Sequence, residues 1–476
     1  MHKFLTHKLF AVLFCLAMPV IADGQESRLS AQKPTELADV LNSANRFYPT
    51  ILASKAGILE KQAGILEANG SFDPRIDGSV FSRVDGLYDS SYGGARVSRE
   101  LPFMNAEVFS EYSLSGGDFP TYQNQYLSSD SGKVRLGIAL SLLRDRAIDN
   151  DRFALQNAEI ESSIAELTLK NEQLSIFQQA FIAYNRWLLS ARLLASYEEL
   201  LEVALLRGEA LERQVEAGDV AEILLVENRQ AILQREGLVI DANRQLQLAA
   251  EGLSLYLRNT DGQPVYPLYD SSLPIPVQAE EFLDMPIQVL LENALSSRPD
   301  IAAIRSLQVQ VQLERTLAEN LAKPQLDISF YSSRDLGDSQ LMRVGTDNVI
   351  ELSYSIPLAT RTAQGRRDAA NAKLDGLEHE LYLLVNETER DIRSAILNLR
   401  ATSELKDIAL QELEVAQALV NAEARRFEAG NSDFLSLNVR ERMLGEAQLR
   451  RWQAELNHQI ALANYYGVSM DLPDYE

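Results

Sequence analysis

The chain runs to 476 residues with 68 acidic and 45 basic side chains, a formal net charge of −23, and that imbalance argues against nucleic acid or anionic headgroups as partners. Its single cysteine is Cys15, inside the opening segment, so the rest of the chain can form neither a disulfide nor a thiolate metal site. Beyond residue 22 no run of about 18 apolar residues occurs, which excludes a helical membrane span and leaves strands as the means of crossing a bilayer.

Residues 1–22 have the pattern of an export signal. Lys3 and Lys8 supply a positive start, residues 9–20 an apolar stretch, and Val20-Ile21-Ala22 a small-residue cleavage site before Asp23. Loss of the two lysines takes the net charge from −23 to −25. Phe14 precedes Cys15 where a lipidation signal needs a small residue, so no lipid anchor is expected.

The remainder of the chain is written twice. Pro49 and Pro74 stand 25 residues apart, as do Pro299 and Pro324. Farther on, Arg213-Gln214-Val215-Glu216-Ala217-Gly218-Asp219 is answered by Arg425-Arg426-Phe427-Glu428-Ala429-Gly430-Asn431. The expected division is a first repeat over 23–260, a proline-rich linker over 261–286, a second repeat over 287–467 and a tail over 468–476.

In each repeat a strand-like period of two precedes a helical one. Ile76, Val80 and Val84 alternate with Arg75, Asp77 and Arg83, and Val134, Leu136, Ile138 and Leu140 with Arg135, Gly137, Ala139 and Ser141. In the second repeat Leu326, Ile328 and Phe330 alternate with Asp327, Ser329 and Tyr331, and Ile350, Leu352, Tyr354 and Ile356 with Glu351, Ser353 and Ser355. Such segments have one apolar and one polar face. Two main strands per repeat make four per chain, too few to close a barrel around water, so several chains must contribute. The first repeat carries an excess near 90–131, including strand-like 107–114, which reads either as an elongated hairpin or as an external loop.

Residues 147–215 contain no proline, and Ile160, Ile164, Leu167, Leu174, Phe177, Phe181, Tyr184 and Leu188 recur at spacings of three, four and seven, the mark of a helix packed in coiled-coil fashion. At 1.5 Å per residue it reaches about 100 Å. The second repeat matches it over 362–427, with Leu374, Leu377, Leu381, Leu384, Ile392, Ile396 and Leu399. Each long helix stops at a glycine and a second helix comes next, over 221–257 and 433–466, making two antiparallel hairpins; Asp219, and Asn431 or Asp433, are placed to cap the returning helices.

The ordered set resembles the TolC-type outer membrane efflux protein family, the outer membrane factors. The residues that carry the likeness are Arg298-Pro299-Asp300-Ile301 followed by Pro324-Gln325-Leu326, Ser355-Ile356-Pro357-Leu358 entering the long helix, and Phe427-Glu428-Ala429-Gly430 leading to Phe434-Leu435-Ser436-Leu437. Tyr48-Pro49, Phe72-Asp73-Pro74 and Leu140-Ser141-Leu142-Leu143 are weaker first-copy counterparts. The resemblance implies an α+β membrane protein: a homotrimer with four strands per subunit in one twelve-stranded outer-membrane β-barrel, and long coiled-coil hairpins forming a periplasmic α-barrel. It further implies a passive exit channel of a tripartite efflux or type I secretion system. Such a channel contacts outer-membrane lipid, a periplasmic adaptor (membrane fusion) protein and an inner-membrane transporter of RND or ABC type.

In that architecture the hairpin turns form the periplasmic tip, which makes Ala217, Gly218, Asp219, Ala429, Gly430 and Asn431 the adaptor-docking candidates. Many members narrow the tip with carboxylates six and nine residues after the second-copy glycine, but Ser436 and Val439 stand there in this chain, a departure from the pattern. Leu224 and Glu227 are the first-copy counterparts, and the aperture candidates are Glu222, Glu227, Asp433 and Ser436.

No cofactor, metal or enzymatic activity is expected. His379 and His458 lie far apart in sequence, outside any metal-binding or Ser-His-Asp motif, and there is no phosphate loop. The competing reading is a periplasmic coiled-coil adaptor or scaffold without a pore, although an adaptor is expected to carry one hairpin nested in small β-domains rather than two in tandem. With no nucleotide-binding motif, a partner must supply the energy for transport.

Overall fold

The computed structural model describes residues 35–268, 286–337 and 345–470. The export signal, most of the linker and the end of the tail lie outside these residues. In chain order the elements are α1 (Leu37–Phe47), α2 (Pro49–Asn69), β1 (Arg75–Ser82), β2 (Ser90–Leu101), β3 (Ala106–Gly117), β4 (Lys133–Ser141), α3 (Asn150–Glu216), α4 (Ile223–Ser254), α5 (Ile287–Ser297), α6 (Pro299–Leu321), β5 (Gln325–Asp335), β6 (Thr346–Ser355), α7 (Arg361–Glu428) and α8 (Phe434–Ser469).

Proline punctuates both halves in the same way. Tyr48 and Arg298, each just before a proline, are extended at ψ 128° and 122°, because the proline ring closes the helical region to its predecessor. That breaks α1 from α2 and α5 from α6. Pro74 and Pro324 each stand one residue ahead of a strand and mark the helix-to-strand passages. The long helices α3 and α7 run for 67 and 68 residues, about 100 Å each.

The strands form one antiparallel sheet in sequence order, β1 to β6. The expected count of four strands is therefore corrected to six among the described residues. The added pair is the β2–β3 hairpin, which lies in the excess of the first repeat and pairs in continuous register from Ser90↔Gly117 to Leu101↔Ala106. Alternation alone missed β2 because Ser90, Ser91, Gly93, Gly94 and Ala95 dilute its apolar positions. The halves meet at β4 and β5, paired from Lys133↔Asp335 to Ser141↔Asp327.

Register divides the sheet into two faces. Ile76, Val80, Val97, Leu136, Phe330, Ile350 and Leu352 share one face and are exposed on it. The other carries Asp77, Arg96, Glu111, Arg135, Asp335 and Glu351.

Nearest the sheet the helices lie in the order α2, α3, α6, α7; farther away the order is α4, α3, α8, α7. Between the two levels α1 packs on α3, and α5 on α7 and α8, closing the main core around Val40, Trp187, Leu188, Leu290, Ile392, Leu399, Leu462 and Tyr466. Of the expected α3 stripe, Phe181, Tyr184 and Leu188 are buried here.

Among the described residues, the same two sides of the chain lack a neighbour at every level: β1, α2 and α4 on one side, β6 and α7 on the other. These sides are apolar. Leu52, Leu59 and Leu66 on α2 and Val226, Leu233 and Ile240 on α4, each at a spacing of seven, are exposed, as are Leu397, Leu405, Ile408 and Val415 on α7.

Candidate functional site

Both long helices end alike at the pole farthest from the sheet. At the first turn the Gly218 N–H donates to Val215 O at 2.9 Å and the Asp219 N–H to Gln214 O at 2.9 Å. At the second, Gly430 donates to Phe427 O at 3.0 Å and Asn431 to Arg426 O at 2.8 Å. This pair of bonds satisfies the last free carbonyls of a helix and needs a left-handed residue, supplied by Gly218 (φ 77°) and Gly430 (φ 72°). Ala217, Gly218, Asp219, Ala429, Gly430 and Asn431 are all exposed.

The returning helices start differently. Asp433 Oδ1 accepts the Ser436 N–H at 2.6 Å and caps α8, and these bonds from Ser436 hold its carboxyl below the usual carboxylate range. Asp219 does not cap α4, contrary to expectation. The helix begins at Ile223, too far along for an Asp219 side chain to reach its first N–H groups, and Glu222 at the cap position makes no side-chain capping bond. A tight turn from Leu224 N–H to Ala221 O (3.1 Å) opens the helix instead. Glu222 and Asp433 are exposed, whereas Glu227 and Ser436 are half-buried.

The two turns are brought together by a small apolar cluster of Leu211 from α3, Ala231 from α4 and Phe434 from α8, with Phe427 edge-on to Phe434 at 6.2 Å. Behind it lies Glu441, 3% exposed. Its carboxylate accepts from Nη1 and Nη2 of Arg207 and from Nη2 of Arg235, whose Nη1 donates to Leu200 O at 3.0 Å. A buried carboxylate held by two arginines ties α3, α4 and α8 into one unit, because removing it leaves both guanidiniums without a counter-charge. The second turn has a brace of its own: buried Glu423 accepts from Arg426 at 3.1 Å and from Ser432, and Arg426 reaches Asn431 O at 3.3 Å.

The polar face of the sheet carries a ladder of charges. Arg96 pairs with Glu107 at 2.9 Å, Arg135 with Glu111 at 3.5 Å and Lys133 with Asp335 at 3.6 Å. Arg96 also lies 4.0 Å over the Phe109 ring and Arg135 4.8 Å over Tyr331. Gly137 sits between the two rings, where a Cβ would stand 2.5 Å from Phe109 and 2.7 Å from Tyr331 Cβ.

No protein-family model matches the chain, and a search of curated protein sequences finds no match either. Solved structures do match along most of its length. The Campylobacter jejuni CmeC outer membrane channel is 13% identical, over 96% of this chain and 94% of that one, with a TM-score of 0.60. The outer membrane protein VceC from Vibrio cholerae is 15% identical over 91% and 95%, with a TM-score of 0.61. The open state of the Neisseria gonorrhoeae MtrE outer membrane channel is 15% identical over 91% and 88%, with a TM-score of 0.61. The chain has the fold of these outer-membrane channels.

Placed on that channel fold, the sequence-derived candidates all fall at one pole, in or just after the two hairpin turns. Arg207, Arg235 and Glu441, and the ladder on the sheet, were not foreseen. Their partners lie 206 and 234 residues apart in the hairpins, and in the sheet they depend on strand register, so no local spacing announces them.

Proposed function

We propose that this chain is the subunit of a passive homotrimeric exit channel in the outer membrane, serving a tripartite efflux or type I secretion system. The supporting observation is the pair of unpartnered sides, which run in line from the sheet to the hairpin turns. A sheet edge with free N–H and C=O groups cannot stand in a bilayer, and β1 and β6 run in opposite directions, so β1 of one copy can pair antiparallel with β6 of the next while the α2, α4 and α7 stripes meet below. Only a closed ring of copies satisfies every edge. Three copies, the number the family resemblance implies, give eighteen strands rather than twelve.

The apolar face then meets lipid and the polar face lines the lumen. By register that lumen face holds Arg75, Arg96, Lys133 and Arg135 against Asp77, Glu100, Glu107, Glu111, Asp327, Asp335, Asp347 and Glu351, an excess of carboxylates that favours cations. Among the described residues no helix is long and apolar enough to cross a membrane, so a partner transporter of RND or ABC type drives export. The exposed turns at 217–219 and 429–431 dock the periplasmic adaptor. The structural neighbours are channels, in keeping with a non-enzymatic role. A soluble scaffold, the alternative, would leave the apolar sheet face in water.

Fractionation tests the reading. A heat-modifiable trimer in the outer membrane that opens cation-favouring channels in planar bilayers supports it, and a soluble periplasmic monomer overturns it. Glu222, Glu227, Asp433 and Ser436 border the aperture in this proposal. The double substitution Glu222→Gln/Glu227→Gln raises conductance or weakens block by divalent cations, and unchanged single-channel behaviour removes them from that role.

A further inference from the structure

The connection between β3 and β4, residues 118–132, does not project away from the sheet. It starts where the Asp118 N–H meets Asp89 O at 2.6 Å, forms a short 3-10 turn over Thr121–Tyr126, and folds back over one face. The ring of Tyr126 lies 5.3 Å from Phe81 on β1 and 5.1 Å from Tyr92 on β2. Phe81 and Tyr92 are paired in register and share the face of Asp77 and Arg96, so the connection covers the polar face, at the end of the strands away from the helices.

Further anchors carry it across the sheet. Ser128 and Ser115 exchange backbone-to-hydroxyl bonds at 2.7 and 2.9 Å, and the Ser129 N–H donates to Asp335 Oδ1 at 3.2 Å. Arg83 donates to Gln123 at 2.8 Å. The connection thus reaches from β1 to β5 on the lumen side, and Tyr122 stands exposed at its crest.

We propose that residues 118–132 form a constriction inside the outer mouth of the channel, fixed by the aromatic cluster of Phe81, Tyr92 and Tyr126, that excludes bulky solutes from the barrel. The proposal rests on the channel reading. The β2–β3 hairpin that widens the ring to eighteen strands also brings this connection with it. Barrel diameter grows roughly in proportion to strand number, so eighteen strands enclose about twice the cross-section of twelve. An unobstructed opening of that size would admit large solutes from outside; the inward fold narrows it at the level of the Lys133–Asp335 rung.

The test uses the chain's lack of thiols after residue 15. In intact cells, Ser353→Cys, on the polar face near the helix end of β6, is exposed to externally added polymer-linked maleimides too bulky for general porins. It is placed in three backgrounds: the otherwise native chain, Phe81→Ala/Tyr126→Ala, and a chain with 119–128 replaced by a short Gly-Ser linker. Heat-modifiable oligomers confirm assembly of each. The expected result is slow labelling with the native connection and about tenfold faster labelling in both altered backgrounds, since solute access follows pore width. Equally fast labelling in all three overturns the constriction and leaves the channel intact. No labelling in any assembled background, with the thiol reactive after unfolding, overturns the channel reading and the constriction with it.

Discussion

The two halves of the chain share a helical plan but not a strand plan. Each has a short helix, a proline break, a second helix, strands, a helix of 67 or 68 residues and a return helix, yet the first contributes four strands and the second two. The helices cannot change length independently, because the ends of α3 and α7 must meet in one apolar cluster at Phe434. Strand number can change in pairs. A hairpin leaves and re-enters on the same side, so inserting β2–β3 returns the chain to the helix end of the sheet, where α3 must start. The same contrast recurs at the turns, where identical glycine stops are followed by a braced, capped α8 and by an α4 without a side-chain cap.

The buried clasp between the hairpins gives the largest expected effect. Glu441→Ala leaves Arg207 and buried Arg235 without a counter-charge and lowers stability by about 3–5 kcal/mol, read as a fall in the denaturation midpoint of the detergent-solubilised protein. Glu412→Ala, which removes an exposed partner of Arg450 at 2.8 Å, changes it by about 0–1 kcal/mol. Equal effects from the two would show that the hairpins are not joined at Glu441.

Next comes the seam where the unequal strand sets meet. Gly137→Val drives a side chain into Phe109 and Tyr331, and overpacking of this kind costs about 1–3 kcal/mol. Thermal unfolding at a lower temperature, with the helical content of the folded state unchanged, is the expected signature. A variant as stable as the native chain would place the two rings apart.

The smallest effect separates the turns. Asp433→Ala removes a helix cap and frays the start of α8, whereas Asp219→Ala removes none; hydrogen exchange in the first turns of α8 and α4 reads the difference. The pH dependence has a definite sign. Bonds from Ser436 stabilise the charged carboxylate and hold its folded pKa below the unfolded value, so the cap is fully present above the ordinary carboxylate range and is lost as pH falls through the lowered value. Acidification within the range where ordinary carboxylates protonate should therefore begin to erode the difference between the native chain and the Asp433→Ala variant, and below the folded value it should vanish.

Much of the fold was legible because its signals are local. Pro49, Pro74, Pro299 and Pro324 act on their immediate neighbours, the apolar spacing from Ile160 to Leu188 is a property of one helix, and Gly218 and Gly430 are demanded by backbone conformation at a single residue. These determined the duplication, the long hairpins, the turns and the strand pairs with polar and apolar faces. The features that amino-acid order alone left open were set by partners distant in sequence. Only the folded chain decided that Gly-rich 90–101 is a strand, since its apolar positions are too sparse to announce it and its hydrogen bonds come from β1 and β3. Only the folded chain joined Arg207 and Arg235 to Glu441, turned 118–132 onto the polar face, and lined up β1, α2 and α4 opposite β6 and α7. Local sequence sets period and punctuation; register, burial of charge and the location of unpaired edges are properties of the whole packed chain.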